Sequence, residues 1–262
     1  MSHFFIPPSS IQEKEAVVSG GEVHHIFKTR RMKIGDEIKF TDGVGHQYRG
    51  KLLETGRPSV HIEILEKSER KPLSPFAMAL PLIEFGRLEW ALEKCVELGC
   101  AEFWFINTDR TQFTLRFETA ERKRLRWHRI ALEATKQSEN CYVPDIQQVL
   151  ALPELLNQWK GDCVAFHGST GPASLLPQTR QQTRSGQKVP GSLRGRGPEG
   201  AWHLLSEGQR TLLLIGPEGG WSPEELALFE EKKIPIFSLG PSVLRTETAA
   251  VVSLTLCQYN FT

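Results

Sequence analysis

The feature that most constrains the fold is a series of short, wholly apolar runs after residue 76, separated by segments with helical periodicity. The runs are Phe76–Leu80, Phe103–Ile106, Cys163–Phe166, Leu212–Ile215 and Ile234–Phe237. The helical segments are Glu84–Leu98, Glu118–Gln137, Pro223–Lys232 and Thr246–Gln258. Strands that are apolar on both faces and alternate with helices indicate an α/β fold, with a mostly parallel sheet covered on each side.

The first seventy residues follow a different pattern. Short β-prone segments at Glu37–Asp42, Gln47–Leu53 and Ser59–Leu65 are separated by glycine-containing turns, which predicts a small antiparallel barrel or sheet. The polar segment Ser68–Pro75 follows and contains two prolines. We therefore place a first domain at 1–72 and a second at 76–262.

One stretch of the second domain cannot contribute to a core. Residues 178–200 contain only two apolar side chains, Val189 and Leu193, among several glycines and prolines. This composition predicts a flexible insertion at about 178–208. Its excess of basic residues leaves two interpretations open, a solvated loop or a flap that contacts nucleic acid.

Composition narrows the class of protein. The chain has 32 basic and 31 acidic residues, so a globally basic nucleic-acid-binding protein is excluded, although a local basic patch is not. No apolar run reaches the ~20 residues of a membrane helix, and residues 1–8 lack the pattern of a secretion signal. Five scattered cysteines without a C-x-x-C pair are typical of reduced thiols in a cytoplasmic protein without a zinc site. His24 and His25 lack a third ligand, so we expect no metal.

A glycine-rich loop follows the apolar run that ends at Ile215. It reads Gly216-Pro217-Glu218-Gly219-Gly220, and Ser222, Pro223 and Glu225 then form the start signal of a helix. Glycines at the carboxyl end of a strand let the main chain approach a ligand closely. The loop lacks the residues of a P-loop and the spacing of a dinucleotide site. A tight turn without a ligand is the alternative.

A second loop of this kind follows the next strand. Gly240-Pro241 precedes the polar cluster Arg245-Thr246-Glu247-Thr248, which opens the last helix. The two loops could form two walls of one pocket. Arg245 beside Glu247 is then either an ordinary surface ion pair or a fixed cation at the mouth of that pocket.

These two loops carry a resemblance to a known family. Gly216–Gly220, Ser238–Pro241 and Leu244–Ala249 together resemble the carboxyl-terminal signature of the RsmE family. Further matches lie along nearly the whole chain outside the insertion, at Gly21–His25, Arg31–Asp36, Lys94–Gly99, Glu133-Ala134 and Gln137-Ser138. The RsmE family comprises SPOUT-class methyltransferases that use S-adenosylmethionine to methylate N3 of a uridine in 16S (small-subunit) ribosomal RNA.

The resemblance implies a PUA-like RNA-binding β-barrel followed by a SPOUT domain with a C-terminal trefoil knot, working as a cytoplasmic homodimer. S-adenosylmethionine would lie bent among the knot loops. The residues implied to bind it are His167, Gly168, Ile215, Gly216, Pro217, Glu218, Gly219, Gly220, Leu239, Gly240, Leu244 and Thr246.

The resemblance also implies roles in catalysis and RNA binding. Arg245 would stabilise the uracil anion, because its guanidinium stays charged at any working pH. Glu247, Glu218 or water would accept the N3 proton. The residues expected to contact RNA are Lys28, Arg30, Arg31, Lys33, Arg110 and Gln137. Glu139-Asn140 departs from the glycine and arginine common at those positions in the family, which removes an expected cation.

Two other functions are compatible with the sequence. One is a different SPOUT activity, such as ribose 2′-O-methylation of transfer or ribosomal RNA. The other is a ribosomal RNA-binding assembly factor that has lost catalysis, although a protein without a cofactor would have no need for two open glycine loops.

Overall fold

A computed structural model of the chain describes residues 3–56, 59–111, 113, 115, 117–167, 209–240 and 242–261. The strands are β1 His3–Phe5, β2 Glu15–Ser19, β3 Glu37–Thr41, β4 His46–Gly56, β5 Ser59–Glu69, β6 Phe76–Pro81, β7 Glu102–Asn107, β8 Asp145–Ala151, β9 Asp162–His167, β10 Thr211–Ile215 and β11 Ile236–Ser238. The helices are α1 Gly21–His24, α2 Phe85–Glu97, α3 Phe117–Gln137, α4 Leu152–Gln158, α5 Pro223–Glu231 and α6 Thr246–Phe261, with a π-helical turn at His25–Thr29 and a 3-10 turn at Pro8–Ser10.

The chain divides into two compact units. The first contains residues 1–75, 92–103 and 115–148, and the second contains 76–91, 104–114 and 149–262. The domain boundary expected between residues 72 and 76 stays a prediction. The insertion expected at about 178–208 lies outside the described residues.

The first unit contains a five-stranded sheet in the order β1-β3-β4-β5-β2. Strands β3, β4, β5 and β2 pair antiparallel, as the sequence predicts, whereas β1 pairs parallel to β3. The buried side chains alternate along β3, where Ile38 and Phe40 point into the core and Glu37 and Lys39 point out. This alternation fixes the register, because a shift by one residue would expose the core face.

Glycines set the turn between β3 and β4. Gly45 has a φ of +110°, and a Cβ there would lie 2.3 Å from the Tyr142 hydroxyl, so no other residue fits without displacing that ring. Asp42 completes the turn by accepting hydrogen bonds from the main-chain amides of Val44 and His46.

A six-stranded sheet has the order β11-β9-β10-β6-β7-β8. Strands β11, β9, β10 and β6 run parallel to one another, which confirms the α/β fold with a parallel sheet. Every side chain of β6 and of β10 is buried, the property that the continuous apolar runs predict. In the second unit the core combines β-strand residues with Leu155 of α4 and Phe229 of α5.

Among the described helices, none is both long and apolar enough to cross a membrane. The trefoil knot stays a prediction.

Candidate active site

Three strand ends of the second unit meet at one edge of the parallel sheet. Strand β9 lies between β10 and β11, with Ile215 of β10 opposite Phe166 and Ser238 of β11 opposite His167. Strands β10 and β11 follow one another in the described chain but are not neighbours in the sheet. Because parallel strands end at the same edge, the order across it is Leu239 after β11, His167 at the end of β9 and Gly216 after β10.

Hydrogen bonds fix the first glycine loop to its neighbours. The amide of Gly216 and the indole N–H of Trp221 both donate to the carbonyl of Phe166, at 3.3 and 3.2 Å. The buried hydroxyl of Thr246 donates to the carbonyl of Gly216 at 3.2 Å. Thr246, expected at the cofactor, therefore joins the start of α6 to the end of β10.

Different structural causes require a glycine at the positions in these two loops. A Cβ at Gly216 would lie 3.3 Å from the Trp221 ring, and one at Gly219 would lie 3.1 Å from Arg110. Gly220 has a φ of +70° in a turn closed by its amide and the carbonyl of Pro217. Gly240 combines a left-handed φ, +138°, with no atom of the described residues within 4 Å of the position of a Cβ, its chain neighbours aside. Close approach of a ligand to the main chain is therefore best supported at Gly240.

The start of α5 confirms the predicted capping box. Ser222 Oγ accepts from the Glu225 amide, and the Glu225 carboxylate accepts from the Ser222 amide at 2.7 Å. Glu225 also accepts from the amide of Asp109 at 3.0 Å, and the Ser222 hydroxyl donates to the Asp109 carboxylate. Burial is the main cause that raises the pKa of Glu225. These bonds hold the turn that precedes Arg110 against the glycine loop.

Arg110 lies beside that loop. Its Nη1 donates to the carbonyl of Gly219 at 2.8 Å, and the side chain is otherwise exposed. Its guanidinium is thus fixed at one end and open to solvent, an arrangement suited to a ligand with a carbonyl or phosphate oxygen.

An ion-pair cluster joins two of the predicted catalytic residues. Arg87, in the first turns of α2, donates through Nε and Nη2 to the two carboxylate oxygens of Glu247, at 2.9 and 2.8 Å. Its Nη1 lies 2.5 Å from the carboxylate of Glu218. The side chain of Glu247 is 11% exposed and that of Glu218 is 40% exposed. The guanidinium of Arg87 therefore links the first glycine loop to the start of α6.

Charge in this cluster favours the ionised form of Glu247. Burial would raise the pKa of Glu247, but hydrogen bonds from Arg87 and from its own amide, with smaller charge effects of Arg87 and Arg245, lower it overall. Bonds to Glu247 and then to Glu218 raise the pKa of Arg87. The sequence interpretation that pairs Glu247 with Arg245 is replaced, since the hydrogen-bonded partner is Arg87.

Arg245 occupies the N-cap position of α6. Its carbonyl accepts from the amide of Ala249 at 2.8 Å, and its side chain is exposed. The described residues place no carboxylate within ion-pair distance of this guanidinium. The cation is therefore available to a ligand at the edge of the sheet.

The family assignment follows from a direct match. The family described as RNA methyltransferase domain matches residues 69–258, and the RNA methyltransferase PUA domain matches residues 18–65. The chain belongs to this RNA methyltransferase family.

Similar proteins with known names support this family assignment. Ribosomal RNA small subunit methyltransferase E from Bacillus subtilis (strain 168) is 28% identical over 99% of this chain and 96% of its own. The protein of that name from Mycobacterium bovis is 28% identical over 91% of this chain and 84% of its own. A crystal structure of ribosomal RNA small subunit methyltransferase E from Neisseria gonorrhoeae, bound to S-adenosyl methionine, has a TM-score of 0.75 at 21% identity and covers 100% of this chain and 98% of that one. The resemblance to the RsmE family is confirmed.

The remaining cofactor candidates of this RNA methyltransferase differ in burial. Leu239 and Leu244 are half-buried, whereas Ile215 and Pro217 are buried, so the latter pair can offer a ligand little more than main-chain atoms. His167 closes β9, and Gly168 lies outside the described residues.

The basic run of the first unit is exposed. Lys28 lies in the π-helical turn, and Arg30, Arg31 and Lys33 follow the turn on the surface. Arg31 has a φ of +56°, which is uncommon for a residue other than glycine. Nearby, the buried amine of Lys136 donates to Glu22 at 2.7 Å and to Glu133 at 2.9 Å, and so ties α3 to the helical turn before the run.

Gln137, the last predicted RNA contact, is exposed at the end of α3 and borders an open groove between α2 and α3. Glu93, Glu97 and Glu133 also line this groove, beside Arg126 and Arg129. Three carboxylates make it a poor channel for phosphates. In the described part of the chain no group of three or more metal-ligating side chains is found.

Arg87 is the functional candidate that sequence reasoning missed. The helical periodicity of α2 places it in a first turn but says nothing of its partners, which come from segments more than a hundred residues away in the chain. The order β10-β6 in the sheet brings them together, because α2 follows β6.

Proposed function

We propose that this chain transfers a methyl group from S-adenosylmethionine to N3 of a uridine in 16S ribosomal RNA. The observation that carries the proposal is the meeting of three parallel strand ends with Gly240, the exposed guanidinium of Arg245 and the carboxylate of Glu218 at one edge of the sheet. The family match and the name shared by the curated relatives support it.

The residues at this edge fit the cofactor. Space at Gly240 lets an adenine edge approach the main chain, where the Ser238 hydroxyl donates to the Gly240 carbonyl at 3.0 Å. Half-buried Leu239 and Leu244 offer apolar contact to its rings. When bound, S-adenosylmethionine supplies a methyl carbon on a positively charged sulfur, and the sulfur keeps the bonding electron pair when the methyl leaves.

The protein must remove the N3 proton and stabilise the negative charge that remains. Arg245 serves the second task, because its charge is permanent and no described carboxylate neutralises it at close range. The charge that develops on the O2–N3–O4 edge of uracil would be paired by this guanidinium.

Glu218 is better suited than Glu247 to accept the proton. Both oxygens of Glu247 are engaged by Arg87, and its lowered pKa makes it a weak base. Glu218 is more exposed, has one ion-pair contact and can rotate away once it carries the proton. The N3–H electron pair then forms the bond to the methyl carbon.

The first 72 residues are proposed to dock the RNA through the exposed basic run at Lys28–Lys33. We place the protein in the cytoplasm, as a homodimer. Val243 and Tyr259, at the two ends of α6, are exposed apolar side chains, and a second copy packed along this helix would cover them.

Mass spectrometry of ribosomal RNA nucleosides tests the activity. Cells that lack the protein should lose 3-methyluridine from the small subunit, and the wild-type chain should restore it. Loss of a ribose methyl group instead would indicate the other SPOUT activity. An unchanged nucleoside profile, with no calorimetric binding of S-adenosylmethionine, would indicate a non-catalytic factor.

A further inference from the structure

A small depression in the second unit lies next to the first glycine loop. Six residues line it: Leu82, Ile83, Arg110, Phe113, Pro217 and Glu218. We refer to it as the base pocket. Its lining combines buried aliphatic side chains, one partly exposed aromatic ring, one cation and one anion. The sequence motifs place Pro217 and Glu218 at the cofactor and Arg110 at RNA, but assign no role to Leu82, Ile83 or Phe113.

The aromatic ring is placed to stack. Phe113 is 36% exposed, and its ring lies 6.0 Å from that of Phe85 between centroids, at an angle of 50°. The contact with Phe85 supports one side of the ring and leaves part of it uncovered. An exposed phenylalanine beside a polar pair is a typical platform for an unstacked RNA base.

The two charged groups are held by partners that leave part of each free. Arg110 donates to the carbonyl of Gly219, and Glu218 pairs with Arg87. A guanidinium and a carboxylate that line the same depression offer it both a hydrogen-bond donor and an acceptor. Uracil presents the complement, a carbonyl oxygen next to N3–H, whereas cytosine presents an unprotonated N3 that a carboxylate would repel.

We propose that the base pocket binds the uracil ring of the target nucleotide, with Phe113 stacked on its face and Arg110 and Glu218 on its N3 edge. This proposal rests on the proposed function and adds the subsite that selects uridine. An enzyme acting on a base within folded RNA must first take that base out of its stack, which requires such a platform near the methyl donor.

Matched variants of Phe113 test the stacking. Phe113→Tyr keeps the ring and should keep kcat/KM within about twofold, whereas Phe113→Leu should lower it at least about tenfold. Calorimetric affinity for S-adenosylmethionine should be equal in both variants. RNA affinity should change little, since phosphate contacts supply most of it.

Photocrosslinking gives a readout independent of activity. A small-subunit RNA fragment carrying 5-iodouridine at the methylated position should crosslink to the tryptic peptide of residues 111–116 of the wild-type protein. An unlabelled fragment with uridine at that position should compete for this crosslink better than a fragment with cytidine there. If the wild-type protein forms no 3-methyluridine, the proposed function fails. If it does, but Phe113→Leu behaves as wild type or the crosslink maps elsewhere, the base pocket alone is overturned.

Discussion

Arg87 binds both carboxylate oxygens of Glu247, with Nε and Nη2 at 2.9 and 2.8 Å. A two-bond contact of this kind fixes the plane of the carboxylate as well as its position. Since Arg87 also contacts Glu218, one side chain sets the geometry between the first glycine loop and the start of α6. Arg87 orients the proposed proton acceptor, Glu218, and has no proposed contact with the uracil or the methyl donor, so we interpret it as a positioning residue.

Replacement of Arg87 tests this interpretation. Arg87→Met should lower the free energy of unfolding by about 1–3 kcal/mol, because a largely buried carboxylate loses its partner. Turnover should also fall under conditions in which the variant is still fully folded. Arg87→Lys keeps the charge but not the two-bond geometry, so it should restore stability better than kcat. Urea denaturation and single-turnover methylation measure the two effects, and equal recovery of both in Arg87→Lys would contradict a positioning role.

Stability should depend on pH through Glu247. Its pKa is lowered below the ordinary value of 4.5, so the folded state favours its ionised form. The resulting stabilisation is complete above the unfolded-state pKa and is lost as the pH falls through the folded-state value. The contribution of Glu225 to stability has the opposite pH dependence, because burial raises its pKa and the folded state favours its protonated form.

The measurement compares urea midpoints of the wild type and Glu247→Gln near neutral pH and at about pH 4 and below. The wild type should be more stable near neutral pH, and the difference should shrink in acid. A difference that stays constant across this range would show that the carboxylate charge does not stabilise the fold.

Much of the fold could be predicted because the strands of the second domain are apolar on both faces. The predicted run Leu212–Ile215 and strand β10 differ by one residue, and α3 and α5 each differ from prediction by one. Strand β8 was missed, since its sequence mixes polar and apolar residues without a clear period. Helix α4 has only seven residues, too few for a helical pattern to show.

The candidate site was harder to predict than the fold. The sequence pattern of a glycine-rich segment after an apolar run predicts which loops reach the sheet edge. It does not show which neighbouring side chains exclude a Cβ at each glycine. Trp221 and Arg110 occupy the space beside Gly216 and Gly219, and these contacts depend on tertiary packing. The same holds for Arg87, whose partners lie far away in sequence.

Arg245 should matter for turnover rather than for cofactor binding. Arg245→Ala removes an exposed guanidinium without an ion pair to a described residue, so the fold and the calorimetric affinity for S-adenosylmethionine should change little. Turnover should fall about 100-fold or more, as when a charge-stabilising donor is removed. Arg245→Lys is the matched control and should retain part of the rate. Near-normal turnover in Arg245→Ala would refute the role.

The basic run predicts RNA affinity that depends on salt. Arg30→Glu with Arg31→Glu should weaken binding at least about tenfold at low salt, with a smaller effect as salt rises. Lys160→Glu with Lys233→Glu, two exposed positions of the second unit, makes the same charge change as a control. Fluorescence anisotropy with a labelled small-subunit RNA fragment measures both. Equal loss in the two double variants would indicate only a general charge effect.

Gly240 offers the sharpest test of the cofactor site. Its φ of +138° means that Gly240→Ala strains the main chain, and the added methyl group meets no atom of the described residues within 4 Å apart from its chain neighbours. Gly35 in the first unit shares both properties, with a φ of +92°, so Gly35→Ala imposes comparable strain away from the sheet edge. Both variants should lose about 1–3 kcal/mol of stability. Only Gly240→Ala should lower calorimetric affinity for S-adenosylmethionine, by tenfold or more, because its methyl group occupies the space where the cofactor approaches the main chain. Equal affinities in the two variants would place the cofactor elsewhere.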